Sequence, residues 1–119
     1  MRIVLVENDP VLLKTLEMLL RRQGCQVVAF HEPAMACAFL ERGEHFDLLI
    51  IDYMMPELTG REVLERVRGR FPKGCRVVLI SGHTDVVESL DLKAMGVDTF
   101  LPKPLDLKRL RQTISISSG

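Results

Sequence analysis

The sequence predicts one α/β domain built on a parallel sheet with helices on both faces. Three observations carry this. Short apolar, mostly β-branched runs alternate with stretches of helical spacing along the whole chain. Helix start and stop signals fall between those runs. The central run, Leu48–Ile51, is apolar at successive residues, as a strand buried on both faces requires.

The first strand is expected at Ile3–Val6. Asp9 and Pro10 then offer an N-cap followed by a proline at the first helical position, and Leu13, Leu16 and Leu20 share one face of the helix they open. Gly24 stands where that helix should end. Cys25–Phe30 reads as the second strand, and Ala36 and Leu40 lie one turn apart in a helix closed by Gly43. After the third strand, Leu48–Ile51, Thr59 and Glu62 have capping-box spacing, and Val63, Val67 and Phe71 line the next helix. Val77–Ile80 is the fourth strand. Asp85 and Glu88 repeat the capping-box spacing before a helix lined by Val87, Leu90 and Ala94 and ended by Gly96. Val97–Leu101 is the fifth strand, and Leu107, Leu110 and Ile114 line the last helix. The polar ending, residues 115–119, reads as a tail or the start of a linker.

The bulk properties narrow the function. A chain of 119 residues fits a single domain, 1–119, large enough to bury a core without disulfides or metals. Sixteen basic residues balance sixteen acidic ones, which gives no support for direct binding to nucleic acid or to an anionic membrane. Lys108, Arg109 and Arg111 read as a solvated helix face. Cys25, Cys37 and Cys75 are odd in number and lack CxxC spacing, so they read as small buried hydrophobes in a reducing compartment. His31, His45 and His83 lie in separate connections and suggest no metal cluster. The apolar start is too short for a signal-peptide core or a membrane span, so a cytoplasmic location is expected.

In a parallel sheet, ligands bind at the carboxyl ends of the strands. Those positions here are Glu7, Asn8 and Asp9 after the first strand, and Asp52, Tyr53 and Met54 after the third. Ser81, Gly82 and His83 follow the fourth, and Pro102, Lys103 and Pro104 the fifth. Carboxylates gathered at one edge repel each other by roughly 4 kcal/mol at ~4 Å and an effective dielectric of ~20. A divalent cation relieves that repulsion, hard oxygen ligands suit magnesium, and Lys103 adds a positive charge. The set suits phosphoryl transfer, with one carboxylate as nucleophile, cations neutralising phosphoryl oxygens and a hydroxyl donating a hydrogen bond.

At these residues the chain resembles the receiver domain of two-component response regulators over nearly its whole length. The matching segments are Ile3–Asp9, Phe46–Gly60 with its Asp-x-x-Met-Pro-x-x-x-Gly run, Val77–Gly82, and Ala94–Pro104 with its final Lys-Pro. The resemblance implies a flavodoxin-like (βα)5 fold with strand order 2-1-3-4-5. It implies that Asp52 accepts a phosphoryl group from a sensor histidine kinase or a histidine phosphotransfer domain, docking beside the first helix and the loop around Leu105. Glu7, Asn8, Asp52 and the Met54 carbonyl would hold Mg2+. Ser81 and Lys103 would bind phosphoryl oxygens, and Gly82 would leave the pocket open. Ser81 and Phe100 would move together, switching the surface of the fourth helix, fifth strand and fifth helix. The Lys103–Pro104 bond would be cis. The only intrinsic chemistry implied is self-phosphorylation and slow aspartyl-phosphate hydrolysis, so the chain is not expected to be an enzyme. An effector domain in a longer chain, or a homodimer, would supply the output.

One residue departs from the family pattern. The position after Glu7 usually carries a second acid, and here it is Asn8. Asn8 offers a carbonyl oxygen without charge, which points to weaker magnesium binding and slower phosphorylation. Asp9, before Pro10, suits an N-cap better than a ligand. Asn8 also keeps open the alternative of a degenerate receiver, a protein-interaction domain that works without phosphorylation. Two other classes fit less well. An aspartyl-phosphate phosphatase of the haloacid-dehalogenase kind needs an acid where Met54 stands, and a flavin site would be repelled by Glu7 and Asp9.

Overall fold

The computed structural model describes the backbone of residues 1–118 and the side chains of residues 1–115. Strand β1 (Arg2–Val6) leads to helix α1 (Pro10–Arg22), β2 (Gln26–Phe30), α2 (Pro33–Leu40), β3 (Leu48–Asp52) and α3 (Gly60–Val67). Then follow β4 (Arg76–Ser81), α4 (Thr84–Glu88), β5 (Thr99–Pro102) and α5 (Leu107–Ser118). All pairings are parallel and the order is β2-β1-β3-β4-β5, as expected. Residues 115–118 continue α5 in their backbone, and Gly119, the last residue of the expected tail, lies outside the described residues.

The period of two along each strand divides the core in half. Val4, Val6, Leu49, Ile51, Val77 and Leu79 face one layer, where Ala36 and Leu40 of α2, Val63 and Val67 of α3 and Val87 of α4 cover them. Ile3, Leu5, Leu48, Ile50, Val78 and Ile80 face the other, under Leu16 and Leu20 of α1 and Leu110 and Ile114 of α5. Each fully buried aliphatic side chain contributes about 2 kcal/mol from water exclusion. The sheet is therefore stabilised from both sides, and β3 is buried at every residue.

Local signals act where the sequence places them at two helix starts. Asp9 caps α1, its Oδ1 accepting from the backbone N–H of Val11 at 3.0 Å. Thr59 and Glu62 form a complete capping box at α3, with bonds of 3.1 and 3.0 Å.

The third predicted cap is absent. Asp85 lies inside the first turn of α4, whose N-cap is His83, and no side chain caps it. The helix stops at Glu88, short of Leu90 and Ala94. Val86 and Val87 are poor helix formers, and the Ser89 hydroxyl turns back to the Val86 carbonyl at 2.6 Å. Asp91 then starts a separate turn, its side chain accepting from the Ala94 N–H at 3.1 Å.

Other limits shift for similar reasons. After α3 the chain tightens into a single 3-10 turn at Arg68–Arg70, so Phe71 lies beyond the helix and packs edge-on against Phe46 at 5.2 Å. β5 starts at Thr99 rather than Val97, because Asp98 turns to accept the Val77 N–H at 2.8 Å. Leu107 starts α5 but is 41% exposed. Cys37 is buried, as predicted, whereas Cys25 and Cys75 are only half-buried.

Gly60 opens α3 and is required by close approach. A Cβ there would lie 2.7 Å from the Asp52 carbonyl oxygen and 3.1 Å from the Tyr53 Cα. The Gly60 N–H donates to the Tyr53 carbonyl at 2.7 Å, so the helix start rests directly on the end of β3. Gly60→Ala is expected to destabilise the domain by about 2 kcal/mol, an overpacking cost borne by backbone that cannot yield. Urea unfolding of the two proteins measures the difference.

Candidate functional site

The strand register assembles the site. Val6 pairs with Ile51, Asp52 with Ile80, and Ser81 with Pro102. Glu7, Asp52, Ser81 and Lys103 are thus delivered to one sheet edge from four neighbouring strands. β1 and β3 are adjacent, yet the chain leaves them in opposite directions, toward β2 and toward β4. Their carboxyl ends border the crevice expected at such a point.

Glu7 is wholly buried, and Asp52 is 3% exposed. Lys103 reaches both, with Nζ 2.6 Å from Glu7 Oε1 and 2.9 Å from Asp52 Oδ2. The second Glu7 oxygen, Oε2, accepts the Asp9 N–H at 2.8 Å. Burial pushes the Glu7 carboxyl above its ordinary pKa. The Asp9 N–H and Lys103 oppose that shift, and the nearby Asp52 charge reinforces it. Burial works against the Lys103 ammonium, but its bonds to Glu7 and Asp52 outweigh that penalty and hold its pKa above the ordinary value. The two shifts differ in what dominates because Glu7 is sealed from water whereas the Lys103 side chain is 24% exposed.

Asn8 is half-buried and meets three oxygens at once. With its amide nitrogen turned inward, the orientation that leaves no acceptor facing an acceptor, it donates to Asp52 Oδ2 at 3.0 Å. It also donates to Glu7 Oε2 and to the Met54 carbonyl, each at 3.1 Å. Asp52 therefore receives both Asn8 and Lys103 on Oδ2. Among the described residues no hydrogen bond is made to Oδ1.

The oxygens of Glu7, Asp52 and Met54, with the carbonyl of Asn8 if the amide turns over, form an all-oxygen set of the kind that hard divalent cations take. Glu7 Oε1 has spare acceptor capacity, being buried without a well-directed hydrogen bond. The set therefore fits such an ion in kind, with two carboxylates rather than three. Among the described residues no cluster of three or more His, Cys, Asp or Glu side chains could hold a metal.

The remaining predicted residues fall as follows. Ser81 is buried, and its Oγ accepts the His83 N–H at 2.9 Å, which leaves the hydroxyl proton as a spare donor. The Lys103 N–H donates to the Ser81 carbonyl at 2.8 Å, so these two residues are fixed relative to each other. A Cβ on Gly82 would meet only Lys103 Cβ, at 3.8 Å, so the space above it is open. The Lys103–Pro104 bond is cis. Phe100 is half-buried against the upper core layer. Tyr53 is buried at 8% because its backbone continues the β3 pairing through the Ile80 carbonyl. Met54 is 43% exposed, whereas Met55 is buried. Asp9 is the N-cap, not a member of the cluster, but its backbone N–H orients Glu7, a role that side-chain reasoning could not find.

Removing the ammonium tests this electrostatic reading. In Lys103→Met the buried Glu7 loses its cation. A carboxyl whose folded pKa lies above its unfolded value contributes stability at low pH and loses it as pH rises through the folded pKa. The variant is expected to be about 3 kcal/mol less stable than wild type near pH 8. That deficit should shrink toward pH 5 as Glu7 takes up a proton. Urea unfolding across this range measures it, and a deficit independent of pH would contradict the assignment.

Comparison with known proteins agrees with this geometry. The family model described as the response regulator receiver domain matches residues 3–115. The transcriptional regulatory protein GlrR of Escherichia coli is 33% identical over 94% of this chain and 25% of its own length. The sensor protein GacS of Pseudomonas syringae is 30% identical over 95% of this chain and 13% of its own length. This chain thus spans about a quarter or less of these two relatives. The solved receiver domain of the hybrid histidine kinase CckA superposes with a TM-score of 0.80 at 32% identity, over 98% of both chains. The chain belongs to the response regulator receiver domain family.

Proposed function

We propose that Asp52 is the phosphate acceptor of a two-component signalling module. Members of this family are signalling modules rather than enzymes. The observation that carries the proposal is the state of the Asp52 carboxylate. It is buried at a strand end, Lys103 binds Oδ2, as does Asn8 with its amide nitrogen turned inward, and Oδ1 keeps its lone pairs for attack. In the proposed reaction Oδ1 attacks the phosphorus of a phosphohistidine on a sensor histidine kinase or histidine phosphotransfer domain. An O–P bond forms, the P–N bond breaks, and its electron pair leaves with the imidazole. Lys103 would move from Asp52 to a phosphoryl oxygen, and Ser81 would donate its hydroxyl proton to another.

Glu7, Asn8, Asp52 and the Met54 carbonyl would hold magnesium, which when bound neutralises charge building on the phosphoryl oxygens. The uncharged Asn8 supports weaker binding of that ion than three acids would give. Slow hydrolysis would return the acceptor to its free state. With Ser81 drawn toward the phosphoryl group, Phe100 would turn inward and shift the population of conformations of the α4-β5-α5 surface. The output would come from an effector domain in a longer chain or from a homodimer. A cytoplasmic location accords with the reading, and no described helix is long and apolar enough to cross a membrane.

A degenerate receiver, acting by protein contact alone, is the second reading, and the Asn8 contacts are what favour it. Beryllofluoride with magnesium separates the two. Tyr53 adjoins Asp52 and is the only tyrosine in a chain without tryptophan, so its fluorescence reports the site. A saturable change, absent in Asp52→Ala, is expected. Absence of any response at millimolar magnesium would instead establish the degenerate reading.

A further inference from the structure

Asn8 does more than weaken a metal site. Its partners come from two segments: Glu7, its own neighbour after β1, and, across the sheet, Asp52 at the end of β3 with the Met54 carbonyl two residues on, in the loop that leads to α3. With the amide turned so that its nitrogen faces inward, that nitrogen lies within 3.1 Å of all three oxygens. An NH2 group has two protons for these three acceptors, so at least one is shared. A donor placed among converging oxygens of separate segments does the structural work of a small cation. It draws the oxygens together and offsets their repulsion, though with partial charge only.

We propose that the Asn8 side-chain amide takes the place of the metal ion in the metal-free domain, tying the Met54 loop to Glu7 and Asp52. The location rests on the reading of these residues as the magnesium position, but the clamp itself does not require that Asp52 be phosphorylated. Two consequences follow. The metal-free protein has a closed site that an acid in the same position would not give, because three carboxylates would face one ammonium. A cation can enter only if the amide turns over to present its carbonyl oxygen, giving up three contacts in exchange. The wild-type protein should therefore gain little stability from magnesium, whereas Asn8→Asp should depend on it.

Thermal unfolding in EDTA and in millimolar magnesium tests this on wild type, Asn8→Asp and Asn8→Ala. In EDTA both variants are expected to melt about 5 °C or more below wild type. Magnesium should restore Asn8→Asp by linkage, leave Asn8→Ala low and move wild type little. Equal melting of wild type and Asn8→Asp in EDTA would overturn the proposal, as would an equal gain from magnesium in both. A second readout needs no variant. Asn8 is the only asparagine in the chain, so its side-chain amide protons are separable from those of three glutamines by NMR. They are expected to exchange slowly in EDTA, and exchange as fast as a solvent-exposed amide would overturn the clamp. The outcome is separate from phosphate acceptance, since a silent beryllofluoride titration would leave these melting and exchange differences intact.

Discussion

Two acids meet one ammonium at the edge of the sheet, and much of the site is arranged around that contact. Glu7 and Asp52 stand at the carboxyl ends of neighbouring strands, next to runs of buried aliphatic side chains, and both are almost wholly shut off from water. Lys103, arriving from β5, supplies the counter-charge to both. Removing ions from water is costly, and the attraction between them offsets that cost only when the geometry is good. Here the geometry comes from the sheet itself. The ladder holding β1, β3, β4 and β5 in register sets the separation of the charges, and the Lys103 N–H bond to the Ser81 carbonyl fixes where the ammonium chain begins.

The sheet was readable from sequence because its signal is strong and non-local effects reinforce it. Every aliphatic run expected to be a strand is one, within one or two residues, and the buried third strand has no polar residue before Asp52. Helix starts were legible where a side chain makes the cap, as at Asp9 and Thr59. They were illegible where no side chain makes the cap, as at His83. The end of β5 was legible and its start was not, since the turn at Asp98 depends on Val77, twenty-one positions away. The same division runs through the site. Side chains at strand ends could be named in advance. The hold of the Asp9 N–H on Glu7, the close approach of Gly60 to Asp52 and the contacts of Asn8 depend on how loops fold back, which no spacing rule encodes.

The relatives add a second kind of constraint. GlrR is described as a transcriptional regulator and GacS as a sensor protein, and the matched region is a minor part of each. A fold with a self-contained core and a polar edge can be joined to either, because burial of its strands involves nothing outside the domain. What distinguishes one such module from another then lies in the few residues at the edge and in the faces left to solvent.

The shortness of α4 has a bearing on those faces. Five residues of helix are followed by a stretch, 89–98, held by isolated turns, by the Arg68 guanidinium on the Ala94 carbonyl at 2.6 Å, and at its end by the two bonds between Asp98 and Val77. Beneath it, Val87, Met95 and Val97 are the anchors in the core. A segment with few consecutive backbone bonds opens at a lower free energy than the sheet it covers. The stretch begins eight residues after Ser81 and ends just before Phe100. The stretch thus lies between the hydroxyl at the site and the ring on its outer face, so a local opening of 89–97 would change the shape of that face while leaving the strand pairings in place.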